Sequence, residues 1–74
     1  EKAYAYFKIA YEYSEKNHDY HNMAEALYHI GLVCQEQNDV ENARYFFEKA
    51  YQIYYENDEE GGIDKTQLSL NSLR

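Results

Sequence analysis

The feature that most constrains the fold of this chain is an internal repeat. Shifting the sequence by 40 positions aligns Glu1 with Glu41, Ala3 with Ala43, Phe7 with Phe47, Ala10 with Ala50, Tyr11 with Tyr51 and Asn17 with Asn57. A fixed period of this length is typical of repeat proteins, in which each unit buries its apolar face against its neighbours. The sequence therefore predicts an array of similar units.

Apolar and aromatic residues recur at spacings of three and four along most of the chain, which predicts amphipathic helices. The pattern predicts helices over residues 1–17 and 23–37, a third from Val40 to the cluster at Asn57, and the start of a fourth at Ile63. Residues 58–62 are interpreted as a solvated connector with a flexible end. Convincing period-two alternation is missing, so we predict an all-α chain of antiparallel helical hairpins.

Small residues at repeated positions indicate how these helices pack. Ala3, Ala10, Ala43, Ala50 and Gly31 alternate with Phe and Tyr along the predicted helices. Small side chains let two backbones approach closely, and large ones fill the remaining gaps. We expect the ten tyrosines to fill the spaces between stacked hairpins.

Composition restricts the class of protein. A chain of 74 residues supports one small domain at most. Its formal charge of -7 disfavours binding to nucleic acid or to anionic membranes. A single cysteine cannot form an internal disulfide, which favours a reducing, cytoplasmic location. The sequence contains no run of about 18 to 20 apolar residues, so it predicts no membrane span.

Residues 24–34, followed by Asn38 and Asp39 and then by Ala43, Phe47 and Ala50, resemble the tetratricopeptide repeat (TPR). Leu27 occupies the first bulky position of that family's pattern, and Ile30 with Gly31 its aliphatic and glycine pair. The resemblance implies a right-handed superhelix of stacked hairpins that binds a protein or a short peptide. It divides the chain into the second helix of one repeat (residues 1–17), one complete repeat (20–57) and the first helix of the next (63–74), within a larger protein.

The sequence departs from the TPR pattern at several positions. Cys34 stands where an aromatic residue is usual, Asn38 where glycine is usual, and Tyr55 replaces the closing proline. In the last segment Gln67 and Asn71 replace the large residue and the glycine. These differences make the fourth helix the least regular part of the predicted array.

The repeating unit of this chain is longer than the family's usual length of about 34 residues. In this respect it is similar to bacterial Rap-type proteins that sense short peptides, and repeats of similar length occur in adaptors that resemble kinesin light chains. The Rap-type resemblance implies a groove for a signalling peptide or a regulator. The chain would then be the regulatory part of a response-regulator phosphatase, whose chemistry belongs largely to another domain.

The family resemblance also implies a binding surface on the first helix of the complete repeat. In TPR proteins this helix lines the concave face, which here corresponds to Glu25, Tyr28, His29, Leu32, Gln35 and Glu36. Aromatic and apolar side chains at such positions contribute strongly to binding, although a plain solvated face has the same pattern. Glu36 disfavours a partner bound through its C-terminal carboxylate.

The remaining reactive side chains favour neither an enzyme nor a metal protein. His18 and His21, with His29 further along, lack a convincing fourth zinc ligand and are interpreted as surface residues. Cys34 lies on the predicted buried stripe, where a thiol is inert. We predict no catalytic residues and no cofactor. A competing hypothesis is self-association, in which tyrosine-rich faces or the exposed ends of the array form a homodimer.

Overall fold

The computed structural model describes residues 2–73, which form four helices without a β-strand. They are α1 (Lys2–Lys16), α2 (Tyr20–Glu36), α3 (Val40–Glu56) and α4 (Glu60–Ser72). Consecutive helices pack against each other, most extensively α2 against α3. The predicted all-α fold of stacked helical hairpins is confirmed, while the predicted ends at Glu1 and Arg74 lie outside the described residues.

Short turns of the same conformation connect the helices. The middle residue of each turn, His18, Asn38 or Asp58, has a positive φ between 55° and 62°. The next residue donates its N–H to the carbonyl five positions earlier, as Asp39 does to Cys34 at 2.9 Å. These are Schellman motifs, which satisfy the last carbonyls of a helix and reverse the chain.

The turns also cap the helices that follow them. The Asp19 carboxylate accepts the backbone N–H of Asn22, and Asp39 accepts that of Asn42, both at 3.3 Å. Asp is a favourable N-cap because its side chain satisfies one of the free N–H groups in the first turn. Glu59 occupies the corresponding position before α4 and makes no such bond.

The predicted start of the fourth helix at Ile63 was too late, and the predicted flexible connector was wrong at its end. Helix α4 begins at Glu60, so Gly61 and Gly62 are helical. Gly62 is buried, and a Cβ atom there would overlap the ring of Tyr54. The glycine therefore permits close approach of α3 and α4, whereas the sequence pattern had suggested chain flexibility.

The core lies between α2 and α3 in two adjoining clusters of buried residues. One contains Ala24, Leu27, Ala50 and Tyr54. The other contains Ile30, Cys34, Ala43 and Phe47. A Cβ atom on Gly31 would lie 2.6 Å from Cε1 of Phe47, so the small residue allows the phenyl ring to fit against the α2 backbone.

The expectation that the tyrosines fill the spaces between hairpins is correct for only part of the set. Tyr54 is completely buried, and Tyr11 and Tyr28 pack against the core clusters. The exposed tyrosines are Tyr4, Tyr6, Tyr13, Tyr20, Tyr45 and Tyr55. Most of the exposed ones lie on α1 or on the outer side of α3, where no further helix among residues 2–73 covers them.

Two pairs of helices form the two sides of the molecule. Helices α1 and α3 flank one cleft, with Leu27 and Ile30 of α2 also lining it. Helices α2 and α4 are connected to each other by polar side chains on the other side. Within residues 2–73, none of the helices is both long enough and apolar enough to span a lipid bilayer.

Candidate partner-binding surface

The candidate binding surface lies along α2 and α4, and we call it the α2–α4 face. Two polar contacts join the helices, Lys65 to Glu25 at 2.7 Å and Ser69 to the Tyr28 hydroxyl at 3.4 Å, and a third joins His21 of α2 to Glu59, the residue before α4. The residues joined are 38 to 41 positions apart in sequence. The face therefore depends on the stacking of one repeat on the next.

Lys65 is the centre of a polar and aromatic cluster on this face. Its Nζ atom donates to Glu25 and lies 4.7 Å from the ring centre of Tyr28 and 5.5 Å from that of Tyr54. The Tyr54 hydroxyl donates to the same Glu25 oxygen at 2.7 Å. Cation–π contacts and a shared carboxylate hold these four side chains in one arrangement.

The cluster changes the protonation equilibria of two of its members. Burial alone raises the pKa of Glu25, but hydrogen bonds from Lys65 and Tyr54 outweigh it and leave the pKa below its ordinary value. Burial raises the pKa of Tyr54, and its hydrogen bond to Glu25 raises it further. At neutral pH Glu25 is therefore a carboxylate and Tyr54 a neutral phenol.

The structure divides the predicted site residues between two surfaces. Glu25 and Tyr28 belong to the cluster on the α2–α4 face. His29 instead turns toward α1, where its ring stacks on Phe7 with centres 4.8 Å apart and planes 16° apart. Its Nε2 atom lies 3.9 Å from Glu25.

The other three predicted residues continue along α2. Leu32 is half-buried and packs against the cluster that contains Phe47. Gln35 is half-buried and Glu36 is exposed. From the polar cluster toward the C-terminal end of α2, the surface therefore presents an apolar side chain, then an amide and then a carboxylate.

Sequence reasoning missed Lys65, Tyr54 and Ser69 as members of this surface. A usable signal existed, because Lys65 follows Glu25 by 40 positions and so holds the same place in the repeat. Equivalent positions in successive repeats are neighbours in a stacked array. Opposite charges at those two positions therefore predict an ion pair across the face.

The other reactive side chains do not assemble into a site. No three His, Cys, Asp or Glu side chains within residues 2–73 are close enough together to hold a metal ion. His18 lies in the first turn, beside the Tyr20 ring. Cys34 is buried as predicted, and burial, with a smaller contribution from Asp39, raises the pKa of its thiol.

Comparison with known proteins assigns the family. The sequence profile described as tetratricopeptide repeat matches residues 1–56, about three quarters of the chain. The fold is similar to the solution NMR structure of a designed protein, DA05, with a TM-score of 0.90 and 27% identity over 95% of this chain and 70% of that chain. No curated protein matches significantly. The chain therefore belongs to the tetratricopeptide repeat family.

Proposed function

We propose that this chain is a non-enzymatic module that binds a protein segment or short peptide on the α2–α4 face. The observation that carries the proposal is the cluster of Glu25, Tyr28, Tyr54 and Lys65, which is partly exposed yet fixed by hydrogen bonds and ring contacts. A preorganised surface loses less conformational entropy on binding than a mobile one. The TPR family membership supports an interaction role.

The chemistry of the face suggests the kind of segment that it binds. Tyr28 and Leu32 offer aromatic and apolar area beside the half-buried Gln35 and the exposed Glu36. Lys65 already neutralises Glu25, so the exposed Glu36 is the carboxylate of the predicted site that is left to pair with a ligand. We therefore expect an extended segment with an apolar side chain and a nearby basic residue.

A peptide array probed with the intact chain tests this proposal, followed by affinity measurements on the captured peptides. Leu32→Ala should weaken binding about tenfold through lost apolar contact, and Glu36→Gln by about threefold through lost charge. Ile9→Ala and Glu48→Gln are matched controls, because both side chains are exposed and lie on α1 and α3, outside the α2–α4 face. If all four variants bound the captured peptides equally, the α2–α4 face would not be the binding surface.

Self-association is a second candidate function, favoured by one observation. Tyr6, Ile9 and Tyr13 on α1 are 67%, 65% and 71% exposed, which is unusual for large apolar side chains on one helix. Sedimentation equilibrium of the chain and of Ile9→Lys tests it. A wild-type dimer that dissociates in the variant would support self-association, and a wild-type monomer over the whole concentration range would exclude it.

Narrower features of the proposed function remain predictions. They are a regulatory role in a Rap-type phosphatase, a cytoplasmic location, and discrimination against nucleic acid and anionic membranes. The last of these follows from the charge of -7, which repels phosphate groups. The regulatory role is tested by comparing the affinity for a captured sequence as a free short peptide with that for the same sequence inside a host protein. A Rap-type sensor would favour the free peptide.

A further inference from the structure

A cleft of about 370 Å³ lies between α1 and α3, on the opposite side of the molecule from the α2–α4 face, and we call it the α1–α3 cleft. Leu27 and Ile30 of α2 form its floor, and its walls include the rings of Tyr11 and Phe46. Leu27 and Ile30 belong to the two core clusters. The cleft is therefore an opening with an apolar floor that reaches the core.

The internal repeat shows that repeat packing leaves this cleft open. The α1 residues that line it are Tyr4, Lys8, Tyr11, Glu12 and Glu15. Their counterparts 40 positions later, in α3, are Arg44, Glu48, Tyr51, Gln52 and Tyr55. Helix α3 has both α2 and α4 packed against it, yet four of these counterparts are exposed and Tyr51 is half-buried. This side of α1 is therefore not the side that neighbouring repeats cover.

The shape of the cleft favours an extended occupant. A second depression of about 320 Å³ shares Tyr4 and Phe46 with the cleft and continues to Asp39 and Asn42 at the start of α3. The two depressions form one open, elongated groove. Sites for small molecules enclose most of the ligand surface, which an open groove does not do. A segment of protein chain fits this shape better.

Charged side chains of both signs lie along the walls of the cleft. Lys8 is on α1 and Lys49 on α3. Lys49 corresponds to position 9 of the repeat, so the two ammonium groups belong to neighbouring levels on opposite walls. Glu12 and Glu15 follow further along α1. The cleft is therefore positive near its middle and negative toward the C-terminal end of α1.

These charges are not used by ion pairs in the described part of the chain. The ion pairs within residues 2–73 all involve Glu25 or Glu59. Lys49 makes a long hydrogen bond of 3.4 Å to the Tyr45 hydroxyl. Lys8 and Glu12 are four positions apart with the lysine first, the less favourable order for pairing on a helix. A ligand can therefore reach these groups without breaking an ion pair.

The distance between the charges specifies the spacing of a complementary segment. Lys8 and Glu15 are about 10 Å apart along the axis of α1, because a helix rises about 1.5 Å per residue. An extended segment advances about 3.3 Å per residue, so residues about three positions apart span this distance. An apolar side chain between them lies over Leu27 and Ile30.

We infer that the α1–α3 cleft binds an extended segment of a partner protein in which an acidic and a basic residue, about three positions apart, flank an apolar one. The acidic residue pairs with Lys8 and Lys49, and the basic residue with Glu15. The apolar side chain covers the floor. Binding here is independent of binding at the α2–α4 face, which lies on the opposite side.

Short peptides with this charge pattern are suitable probes. The first is Ser-Asp-Leu-Ser-Lys-Ser with both ends blocked, and others carry Ile, Phe or Tyr in place of Leu. Each has a neutral counterpart with Asn for Asp and Gln for Lys. Titrations followed by nuclear magnetic resonance should show about fivefold tighter binding of the charged peptide, with a smaller ratio in high salt.

Variants of the chain test the role of the lysines. Lys8→Gln combined with Lys49→Gln should weaken binding of the charged peptides about fivefold and leave the neutral peptides unaffected. Lys16→Gln combined with Arg44→Gln is the matched control, because it removes the same charge from exposed positions outside the cleft. In Lys8→Glu combined with Lys49→Glu, a peptide with Lys in place of Asp should bind more tightly than the original. Damage to the fold would not produce such a reversal.

The same titrations locate the peptide. Shifts should appear at Tyr11, Ile30 and Phe46 and be absent at Leu32 and Ser69. Shifts at Leu32 and Ser69 instead would assign the peptide to the α2–α4 face and overturn the inference, while supporting the proposed function. Concentration-dependent shifts at Tyr11 and Phe46 without peptide would assign the cleft to a second copy and also overturn it.

Three affinity results would contradict binding in the cleft. They are no detectable binding of any peptide, equal affinity for charged and neutral peptides, and equal effects of the lysine variant and its matched control.

Discussion

Single residues with unusual surroundings explain several features of this chain that its repeat pattern does not reveal. Gly61 and Gly62 are adjacent in the first turn of α4, yet only one of them is needed for packing. A Cβ atom on Gly61 would meet nothing within 4 Å, whereas one on Gly62 would overlap the Tyr54 ring. Position 62 therefore requires a residue without a side chain, whereas position 61 does not.

This contrast predicts opposite effects of the same substitution. Gly61→Ala should raise the free energy of unfolding by about 0.5–1 kcal/mol, because alanine is the better helix former. Gly62→Ala should lower it by about 1–3 kcal/mol, because Tyr54 must move out of its buried position. Urea denaturation followed by circular dichroism measures both. Shifts of the same sign would contradict the close packing of α3 and α4 at Gly62.

The left-handed turn residues make a second prediction at this scale. His18 has a φ of 57°, a conformation that costs L-residues roughly 1–2 kcal/mol, less for Asn or Asp. His18→Gly should therefore raise the free energy of unfolding by about 0.5–1 kcal/mol, after the greater entropy of glycine in the unfolded chain is subtracted.

Asn38→Gly provides the comparison, because Asn38 has a φ of 62° and the short polar side chain of asparagine can hydrogen-bond locally in this region, which lowers the cost. Thermal denaturation should show a smaller gain for Asn38→Gly than for His18→Gly. The reverse order would mean that the turn conformation does not control stability at these positions.

At the scale of elements, the polar cluster ties α2 to α4 and makes their packing sensitive to acid. Glu25 has a lowered pKa in the folded chain, so its charged form contributes stability above its unfolded value of 4.5. That contribution is lost as the pH falls through the folded pKa. Acid should therefore weaken the attachment of α4.

The free energy of unfolding should fall more steeply in the wild type than in Glu25→Gln as the pH drops from about 5.5 to 3. Chemical denaturation at a series of pH values measures this slope. Lys65→Met should flatten the slope as well, because its ammonium group helps to lower the pKa of Glu25. The double variant tests whether the two residues are coupled. If Glu25→Gln flattened the slope in the Lys65→Met background as much as it does in the wild-type background, they would not be coupled.

Helix number, helix type and the buried residues of the complete repeat could be predicted from spacing alone. Leu27, Ile30, Phe47 and Ala50 recur at helical intervals, and all are buried. The start of α4 could not, because Gly61 and Gly62 suggest a loop unless their packing against Tyr54 is known. The turn of His29 toward Phe7 was equally hidden, since it depends on how α1 crosses α2.

For the whole molecule, burial decreases from the middle of the array toward both ends. Most buried core residues belong to α2 and α3, while α1 has only Ser14 and α4 only Gly62 and Thr66 in the same class among residues 2–73. Among residues 2–73, α1 packs mainly against α2 and α4 mainly against α3, whereas α2 and α3 each pack against two helices.

Native-state hydrogen exchange should reveal this gradient. Amides of Ile30 and Phe47 should exchange through nearly complete unfolding, whereas the middle of α1 and of α4 should open at a free energy about 1–2 kcal/mol lower. Uniform protection across residues 2–73 would indicate that these residues unfold as a single cooperative unit. Lower burial in α1 and α4 would then not lower their local stability.

The matching turns at His18, Asn38 and Asp58 recur at equal intervals and have a consequence for how such a chain can change in length. Each turn ends one helix and begins the next with the same backbone conformation. A deletion or duplication whose ends lie in two of these turns therefore preserves that conformation. Genetic duplication or loss of a segment of one repeat length, such as residues 19–58, would place a turn residue of positive φ at the new junction, with Asp19 and Glu59 exchanged after it. Growth or shortening by whole repeats would then require no new connector.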